Sequence, residues 1–277
     1  MTSRSGSTSP GAEARHTTSA TSRLPAAPPP GSWATAGKHR GATIPSAPGA
    51  ARRSPDVLQT LEEMGDPARL EGMARYGIRT DHAVGVSVTE LRRLARGLRP
   101  DHELAAALWA SGIHEARILA SLVDEPAQVS EAQMEAWVAD LDSWDVCDGV
   151  CGNLFDRTPF ALDKAVEWST REPEFEKRAA FAVMACAAVH RMDLPDSAFG
   201  SLLPVIREGA TDDRNFVKKA VSWALRQIGK RSADLNARAV RTAEQIERID
   251  ARSARWIARD ALRELRSDAV RARLKAR

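Results

Sequence analysis

The chain of 277 residues is 43% hydrophobic and 28% charged, with a formal net charge of +3 at pH 7. This composition provides enough apolar side chains for one substantial core or two small ones. No run approaches the ~18 apolar residues of a membrane span, and the first residues, MTSRSGSTSP, lack the apolar segment of a secretory signal. We therefore expect no membrane span and no secretion, and we expect the protein to be cytoplasmic.

Basic charge is concentrated at the two ends of the chain. Residues 1–53 carry seven Lys and Arg against one acidic residue, and residues 214–277 carry eighteen against seven. The segment between them consequently has a net charge of −14. A local basic excess of this size suits a surface that binds phosphates, but a solvated protein face can also be highly charged. On charge alone, the two interpretations are equally good.

Residues 1–53 are rich in Ser, Thr, Pro, Gly and Ala and show no apolar periodicity. Such a segment cannot bury enough surface to offset the entropy of ordering, so we predict a disordered tail. The composition superficially matches an organellar transit peptide, but the density of proline disfavours an amphipathic helix. We interpret this segment as a basic tail, or as the product of an overextended start codon, and we predict a single domain over residues 54–277.

From Ser54 onward, capping signals divide the chain into successive helices. Capping-box patterns occur at two predicted helix starts, Ser87 with Glu90 and Ser130 with Gln133. Further starts are predicted at Thr158 with Pro159, at Pro173, at Asp212 and at Ser253. Glycines near plausible helix ends are Gly112, Gly200 and Gly229.

The helices are numerous and closely spaced, and alternating β-branched runs are almost absent. About ten helices with short connections predict an all-α protein. They arrive in pairs at intervals of roughly 35–45 residues, which is the range of HEAT-type repeats. Stacked pairs would form a superhelical solenoid in which one helix of each pair lines a concave surface. A compact helical bundle is the alternative.

The segment SWDVCDGVCGNLF, residues 143–155, carries the clearest indication of chemistry. On a helix, Trp144 and Asp148 are four residues apart and share a face, so an indole lies beside a carboxylate. The aromatic face attracts a cation, and the carboxylate stabilises developing positive charge or orients a water molecule. For an isolated motif the commoner arrangement is a core tryptophan and a local aspartate cap.

Other segments place aromatic residues among basic ones. In NFVKKAVSWALRQIGK, the helix face of Trp223 also carries Lys219 and Arg226. The remaining positions of this kind are Tyr76 in GMARYGI and Lys177 with Arg178 in EFEKRAAF. Interleaved aromatic and basic residues are typical of a surface that holds phosphates and engages a base.

Taken together, these motifs resemble a known family. The succession MARYGI, GVSVTELRRLA, SWDVCD, EKRAAF and NFVKKAVSWALRQIGK is similar to DNA alkylation repair glycosylases of the AlkD-like type, over roughly residues 60–265. The resemblance implies a superhelix of HEAT-like repeats that hydrolyses the N-glycosidic bond of cationic N3- and N7-alkylated purines. It implies no metal or organic cofactor, and a base that need not be flipped into a closed pocket.

The resemblance also implies roles for individual residues. The catalytic aspartate of the family corresponds to Asp148, and its two pocket tryptophans correspond to Trp144 and Trp223. A supporting tyrosine corresponds to Tyr76, and a phosphate-binding arginine corresponds to Arg178. An alkylated purine is already cationic and leaves readily, so the chemistry needs mainly a negative charge near the sugar and aromatic faces near the base.

The chain departs from the family pattern before the aspartate. Relatives often have two successive tryptophans there, whereas Ser143 precedes a single Trp144 in this chain, and the continuation is rich in cysteine. The sequence therefore leaves open which alkylated bases the protein would act on. Some relatives on this scaffold lack glycosylase activity or bind altered DNA structures, so a non-catalytic DNA-binding protein of the family is the second hypothesis. A scaffold for protein interactions is the third.

Two further groups of residues have side chains that can form chemical sites. The three cysteines, Cys147, Cys151 and Cys186, include no CxxC pair and no adjacent histidine, so we predict core residues rather than a zinc site or disulfides. His114 and Glu115 are neighbours that point apart on a helix, which predicts a solvated turn rather than an acid/base pair. We expect that Arg117 contacts DNA from the same segment.

The last predicted helix carries a stripe of arginines. Arg252, Arg255, Arg259, Arg263 and Arg266 recur three or four residues apart, which places them on one helix face. We expect Arg255 and Arg259 to contact DNA, while Trp256, Ile257 and Leu265 pack inward. A solvated face, partly neutralised by nearby acids, is the alternative. The expected partner is double-stranded DNA containing alkylated bases, bound by a monomer associated with the nucleoid.

Overall fold

The structure of the protein is a computed structural model that describes residues 54–276, so the predicted tail over residues 1–53 lies outside it. The described residues form fifteen α-helices and a 3-10 turn, without a β-strand among them. The helices are α1 Ser54–Met64, α2 Ala68–Arg75, α3 Val88–Ala95, α4 His102–Ala110, α5 His114–Val123, α6 Glu131–Ala139, α7 Trp144–Asn153, α8 Ala161–Trp168, α9 Glu174–His190, α10 Asp196–Gly200, α11 Leu203–Gly209, α12 Asn215–Gly229, α13 Ala233–Glu247, α14 Arg252–Leu265 and α15 Asp268–Lys275. The all-α prediction is confirmed, although the predicted number of helices was too small.

The helices stack in two layers. In one layer, α3, α5, α7, α9, α12 and α14 follow each other, and each packs against the next. In the other layer, α4 packs on α5, α8 on α9, and α13 on both α12 and α14. Helices that pack mainly on their neighbours in the chain are characteristic of a solenoid. This arrangement confirms the predicted solenoid and excludes the compact bundle.

Two serine caps start helices as the sequence predicts. The Ser87 hydroxyl accepts a hydrogen bond from the backbone nitrogen of Glu90, and the Glu90 carboxylate accepts one from the backbone nitrogen of Ser87, at 3.1 Å. Ser130 accepts from the backbone nitrogen of Gln133 at 3.1 Å. The Gln133 amide does not complete a second capping box, because it donates to Asp124 instead.

Two other predicted caps were wrong. Asp212 does not cap α12, because it accepts a hydrogen bond from the backbone nitrogen of Arg214 and forms an ion pair with its guanidinium. Ser253 lies inside α14, where its buried hydroxyl donates to the carbonyl of Ala210 at 2.9 Å. Both side chains have the chemistry of a cap, but tertiary partners engage them instead.

The boundaries marked by proline and glycine are closer to the prediction. Helix α9 follows Pro173 directly, whereas α8 begins two residues after Pro159. The predicted glycine ends are confirmed, since Gly200 and Gly229 end α10 and α12 and Gly112 follows α4.

The core between the layers is centred on α9. Most residues of this helix from Ala179 to Ala188 are buried, and many are alanines, which lets α7, α8 and α12 approach closely. Aromatic side chains extend the core toward the amino-terminal half of the described chain, where Trp109 stacks on Trp137 with ring centres 4.1 Å apart. Residues 54–276 include no helix long and apolar enough to cross a bilayer.

The segment around His114 is buried, so the predicted solvated turn was wrong. His114 Nε2 lies 2.8 Å from a carboxylate oxygen of Asp145 on α7. Glu115 accepts hydrogen bonds from the backbone nitrogens of Val84 and Gly85, at 2.9 and 2.7 Å. The two side chains point apart as expected, and each connects α5 to a different part of the core.

The three cysteines are buried and free, as core residues. The thiol of Cys147 lies 3.7 Å from the carbonyl of Phe175, and that of Cys151 lies 3.6 Å from the carbonyl of Ala179. Both contacts join α7 to α9. Within the described part of the chain, no group of three or more His, Cys, Asp or Glu residues is arranged to hold a metal ion.

Candidate active site

The carboxylate of Asp148 on α7 is held by Arg178 on α9. Two guanidinium nitrogens of Arg178, Nε and Nη2, donate to the two carboxylate oxygens at 2.9 and 2.7 Å. The third, Nη1, donates to the carbonyl of Phe216 on α12 at 2.6 Å. This bidentate geometry fixes the plane of the carboxylate. The Asp148 side chain remains 18% exposed, whereas that of Arg178 is 7% exposed.

Burial makes this pair electrostatically strong. Burial raises the pKa of Asp148 above its ordinary value, and the charge and hydrogen bonds of Arg178 oppose that shift. Burial of Arg178 works against its charged form, but the charge of Asp148 and the hydrogen bonds to it act in the opposite direction, and the pKa of Arg178 is raised. A poorly solvated carboxylate acts over a short distance with little screening by water. A cation at its exposed edge would therefore be attracted to the carboxylate, and the charge of Arg178 would offset part of that attraction.

The indole of Trp144 is anchored by backbone from another part of the chain. Its Nε1 donates to the carbonyl of Tyr76 at 3.1 Å. Tyr76 directly follows α2, and its side chain is 45% exposed. Since Trp144 and Asp148 lie on one face of α7, as predicted, this bond places the tyrosine segment beside the carboxylate.

Gly77 allows the tyrosine segment to approach α12. Its φ is +75°, which side chains rarely permit, and a Cβ there would lie 3.0 Å from the ring of Phe216. The carbonyl of the same Phe216 binds Arg178. These contacts form a closed circuit. It runs from Asp148 on α7 through Arg178 and Phe216 to the tyrosine segment, and it returns to α7 through Trp144.

Helix α12 supplies the second predicted tryptophan. Trp223 lies two turns after Phe216, which places both on the same side of the helix. The Trp223 side chain is half-buried, and its Nε1 is buried without a hydrogen-bond partner among residues 54–276. Lys219 lies between them, and burial together with the nearby charges of Arg178 and Lys218 lowers its pKa. Its ammonium group is therefore poorly compensated by the protein.

Several other predicted DNA contacts are bound to partners within the protein. Lys177 pairs with Asp212 at 3.2 Å, and Arg226 pairs with Glu264 at 2.5 Å. Arg117 donates to the carbonyl of Asp140 at 3.0 Å, and its guanidinium carbon lies 5.4 Å from the ring centre of Trp109. These contacts reduce the positive charge that each side chain offers to a ligand. Their binding of DNA stays a prediction.

The arginine stripe on α14 is exposed. Arg255 pairs with Asp250 at 2.8 Å, whereas Arg259 forms no ion pair with any described residue. Ile257 and Leu265 are buried as predicted, but the inward packing predicted for Trp256 was wrong. Its side chain is 40% exposed, because it lies on the arginine face of α14 rather than on the opposite one.

Sequence reasoning missed Phe216 and Gly77 as parts of the site. Phe216 precedes Trp223 by seven residues, so helical spacing places it on the same face. Gly77 follows the only tyrosine, and glycine is a signal of close backbone approach. No sequence signal indicated that Arg178 binds Asp148, since this contact joins residues thirty positions apart.

The chain is similar to known proteins in sequence and in fold. The sequence model of a family described as DNA alkylation repair enzyme matches residues 57–265. A solved structure described as "A new family of proteins related to the HEAT-like repeat DNA glycosylases with affinity for branched DNA structures" superposes with a TM-score of 0.66 at 19% identity. The match covers 80% of this chain and 96% of that one, so the two share a fold. No curated protein matches the sequence.

Proposed function

Because the chain belongs to the DNA alkylation repair enzyme family, we propose that it is a monofunctional DNA glycosylase. Its proposed substrates are cationic N3- and N7-alkylated purines in double-stranded DNA. The observation that carries the proposal is the carboxylate of Asp148, which is partly exposed and is held by Arg178. Asp148 lies on the same face of α7 as Trp144. A fixed negative charge beside an aromatic face suits a cationic base and a cationic sugar.

The reaction places little demand on acid catalysis. Breaking the bond between C1′ and the base nitrogen returns the bonding electrons to a purine that was cationic, so the base leaves neutral. The sugar then carries the positive charge, as in glycoside hydrolysis. Asp148 would stabilise that charge while water adds to C1′ and loses a proton to Asp148 or to solvent. Preorganised charge of this kind is often the largest single contribution to catalysis.

The two tryptophans would select the lesion by its charge. A cation over an indole face gains on the order of 0.5–2 kcal/mol. The Nε1 of Trp144 is already engaged by Tyr76, so the orientation of its ring is fixed before any DNA binds. A neutral purine would gain less from either ring, which favours alkylated over normal bases.

The basic side chains would bind the DNA backbone. Lys219 beside Arg178, and Arg259 on α14, are two basic groups that form no ion pair with a described residue. Arg178 itself would serve first to position Asp148, and its binding of a phosphate stays a prediction. We further propose that the protein acts as a monomer in the cytoplasm, on nucleoid DNA and without a cofactor.

The direct test is release of N7-methylguanine and N3-methyladenine from methylated duplex DNA. Release by the wild-type protein, above the rate of spontaneous loss without protein, would support the proposal. The variant Asp148→Asn serves as the matched control, since it keeps the size of the side chain and removes its charge. Equal release by the two proteins would contradict the assignment of Asp148.

A second candidate function is DNA binding without catalysis. One observation favours it, since Arg178 already neutralises Asp148, and a neutralised carboxylate stabilises a sugar cation less. The similar solved structure is described as having affinity for branched DNA structures. Tight DNA binding with no release of alkylated bases would favour this function over the glycosylase.

A further inference from the structure

A second aromatic surface lies on α14. The indole of Trp256 is 40% exposed, and the ammonium group of Lys218 on α12 lies 5.8 Å from its ring centre. Trp256 lines an open cleft of about 300 Å³, whose other lining residues are Arg252, Arg255, Arg259, Asp260 and Arg263. An indole surrounded by arginines is unusual on a solvated face, because burying it in the core would be favoured by its large apolar surface.

The net charge of this Trp256 cleft is positive. Its one acidic residue, Asp260, already binds Arg226, Arg263 and the hydroxyl of Ser222. Arg252 and Arg259 form no ion pair within residues 54–276. The cleft therefore offers two uncompensated guanidinium groups on either side of one exposed aromatic ring.

The Trp256 cleft adjoins the candidate active site across α12. Lys218 and Lys219 are consecutive residues of this helix, so their Cα atoms are about 3.8 Å apart. Lys218 reaches the ring of Trp256, whereas Lys219 is close enough to Arg178 for that charge to lower its pKa. The candidate active site and the Trp256 cleft therefore both border the amino-terminal part of α12.

We propose that the Trp256 cleft binds an unpaired nucleotide of a DNA strand. The base would stack on Trp256, while Arg252 and Arg259 would bind the phosphates before and after it. Stacking suits any base, since every base has a π face, and it requires that the base be unpaired. The volume of the cleft is adequate for a single nucleotide. This inference rests on the DNA-binding part of the proposed function.

The test compares two DNA probes of equal sequence, a blunt duplex and the same duplex extended by a single-stranded arm. We expect the wild-type protein to bind the armed duplex about 10-fold more tightly, from stacking of one base. Trp256→Ala should abolish this preference and leave affinity for the blunt duplex within about 2-fold, because the ring does not contact paired bases. Trp256→Phe should restore part of the preference.

Controls separate the possible failures. Met192→Ala is the matched variant, because it also truncates an exposed apolar side chain, which contacts Arg231 rather than α14. Equal affinity of the wild-type protein for both probes, or equal loss on both in Trp256→Ala, would overturn the inference and leave the glycosylase proposal intact. Binding of anionic vesicles that depends on Trp256 would overturn it in favour of a membrane surface. Absence of DNA binding altogether would refute the proposed function as well.

Discussion

The Asp148 site and the arginine face of α14 hold their charges in opposite ways. At the site, Asp148 and Arg178 are both largely buried and neutralise each other through two hydrogen bonds. On α14, the arginines are exposed, and Arg259 has no ion-pair partner among the described residues. The effect of a buried ion pair depends on the geometry of its own contacts, and salt screens it little. The effect of exposed charges depends on their total, and salt screens it strongly. The two regions should therefore respond to different perturbations.

The largest effect is expected for the charge of Asp148. Asp148→Asn should lower base release by about 10²-fold or more, the scale for losing one aimed electrostatic group. The amide keeps one acceptor for Arg178, so the variant should fold, with a lower melting temperature. Single-turnover release at a temperature below that transition measures the effect. Retention of the full rate would show that the site does not use its carboxylate.

The pairing of Asp148 with Arg178 should also support folding. Arg178→Met leaves the carboxylate unpaired, and the free energy of unfolding should fall by roughly 3 kcal/mol, near the lower end for buried pairs because Asp148 is partly exposed. Adding Asp148→Asn to this variant should restore part of that loss, since a neutral amide requires no counter-ion. Urea denaturation of the single and double variants measures both. A double variant no more stable than Arg178→Met would contradict the pairing argument.

The arginine face should govern the salt dependence of DNA binding. Replacing Arg255, Arg259 and Arg263 together by Gln should reduce the slope of log K against log salt concentration by up to about 3. Arg259→Gln alone should account for the largest share, because the other two already have ion-pair partners. Affinity for damaged and undamaged duplex should fall equally, since phosphate contacts carry no information on the lesion. An unchanged slope would identify the stripe as solvated surface.

The smallest expected effect is a dependence of the melting temperature on pH. It again distinguishes a buried charge, that of His114, from the exposed charges of α14. Burial works against the charged form of His114, but its hydrogen bond to Asp145 and the charge of that carboxylate raise its pKa above the ordinary value of 6.5. The protonated form is therefore favoured in the folded state, and its contribution to stability is complete below that value and is lost as pH rises through the raised pKa. The melting temperature should fall over this range in the wild-type protein and fall less in His114→Gln. Guanidinium groups in general do not titrate near neutral pH, so the salt dependence of DNA binding should not follow the same pH profile.

Much of the fold could be predicted from local signals. Serine caps, proline at a helix start and glycine at helix ends act within one or two turns, so the sequence alone indicates where they operate. Asp212 and Ser253 show the limit of this reasoning. Each has the side chain of a cap, yet each is bound by a partner elsewhere, and such competition depends on contacts that only folding creates.

The candidate site also combines features that local sequence predicts with contacts that only folding creates. Helical spacing alone places Trp144 beside Asp148, and Lys219 beside Trp223, because both pairs lie four residues apart on one helix. The family, too, could be recognised from motifs, and the family match over residues 57–265 confirms that resemblance.

Only the tertiary structure decided which charges meet. Arg178 directs its guanidinium to Asp148 and to the carbonyl of Phe216, a pairing that no sequence pattern indicated, and its binding of a phosphate stays a prediction. His114 is buried rather than solvated, because Asp145 on a neighbouring helix supplies its partner. Periodicity tells which face of a helix a side chain occupies, but not what the stacking of repeats brings against that face. The pairing of buried charges depends on that stacking, so no local pattern could have determined it.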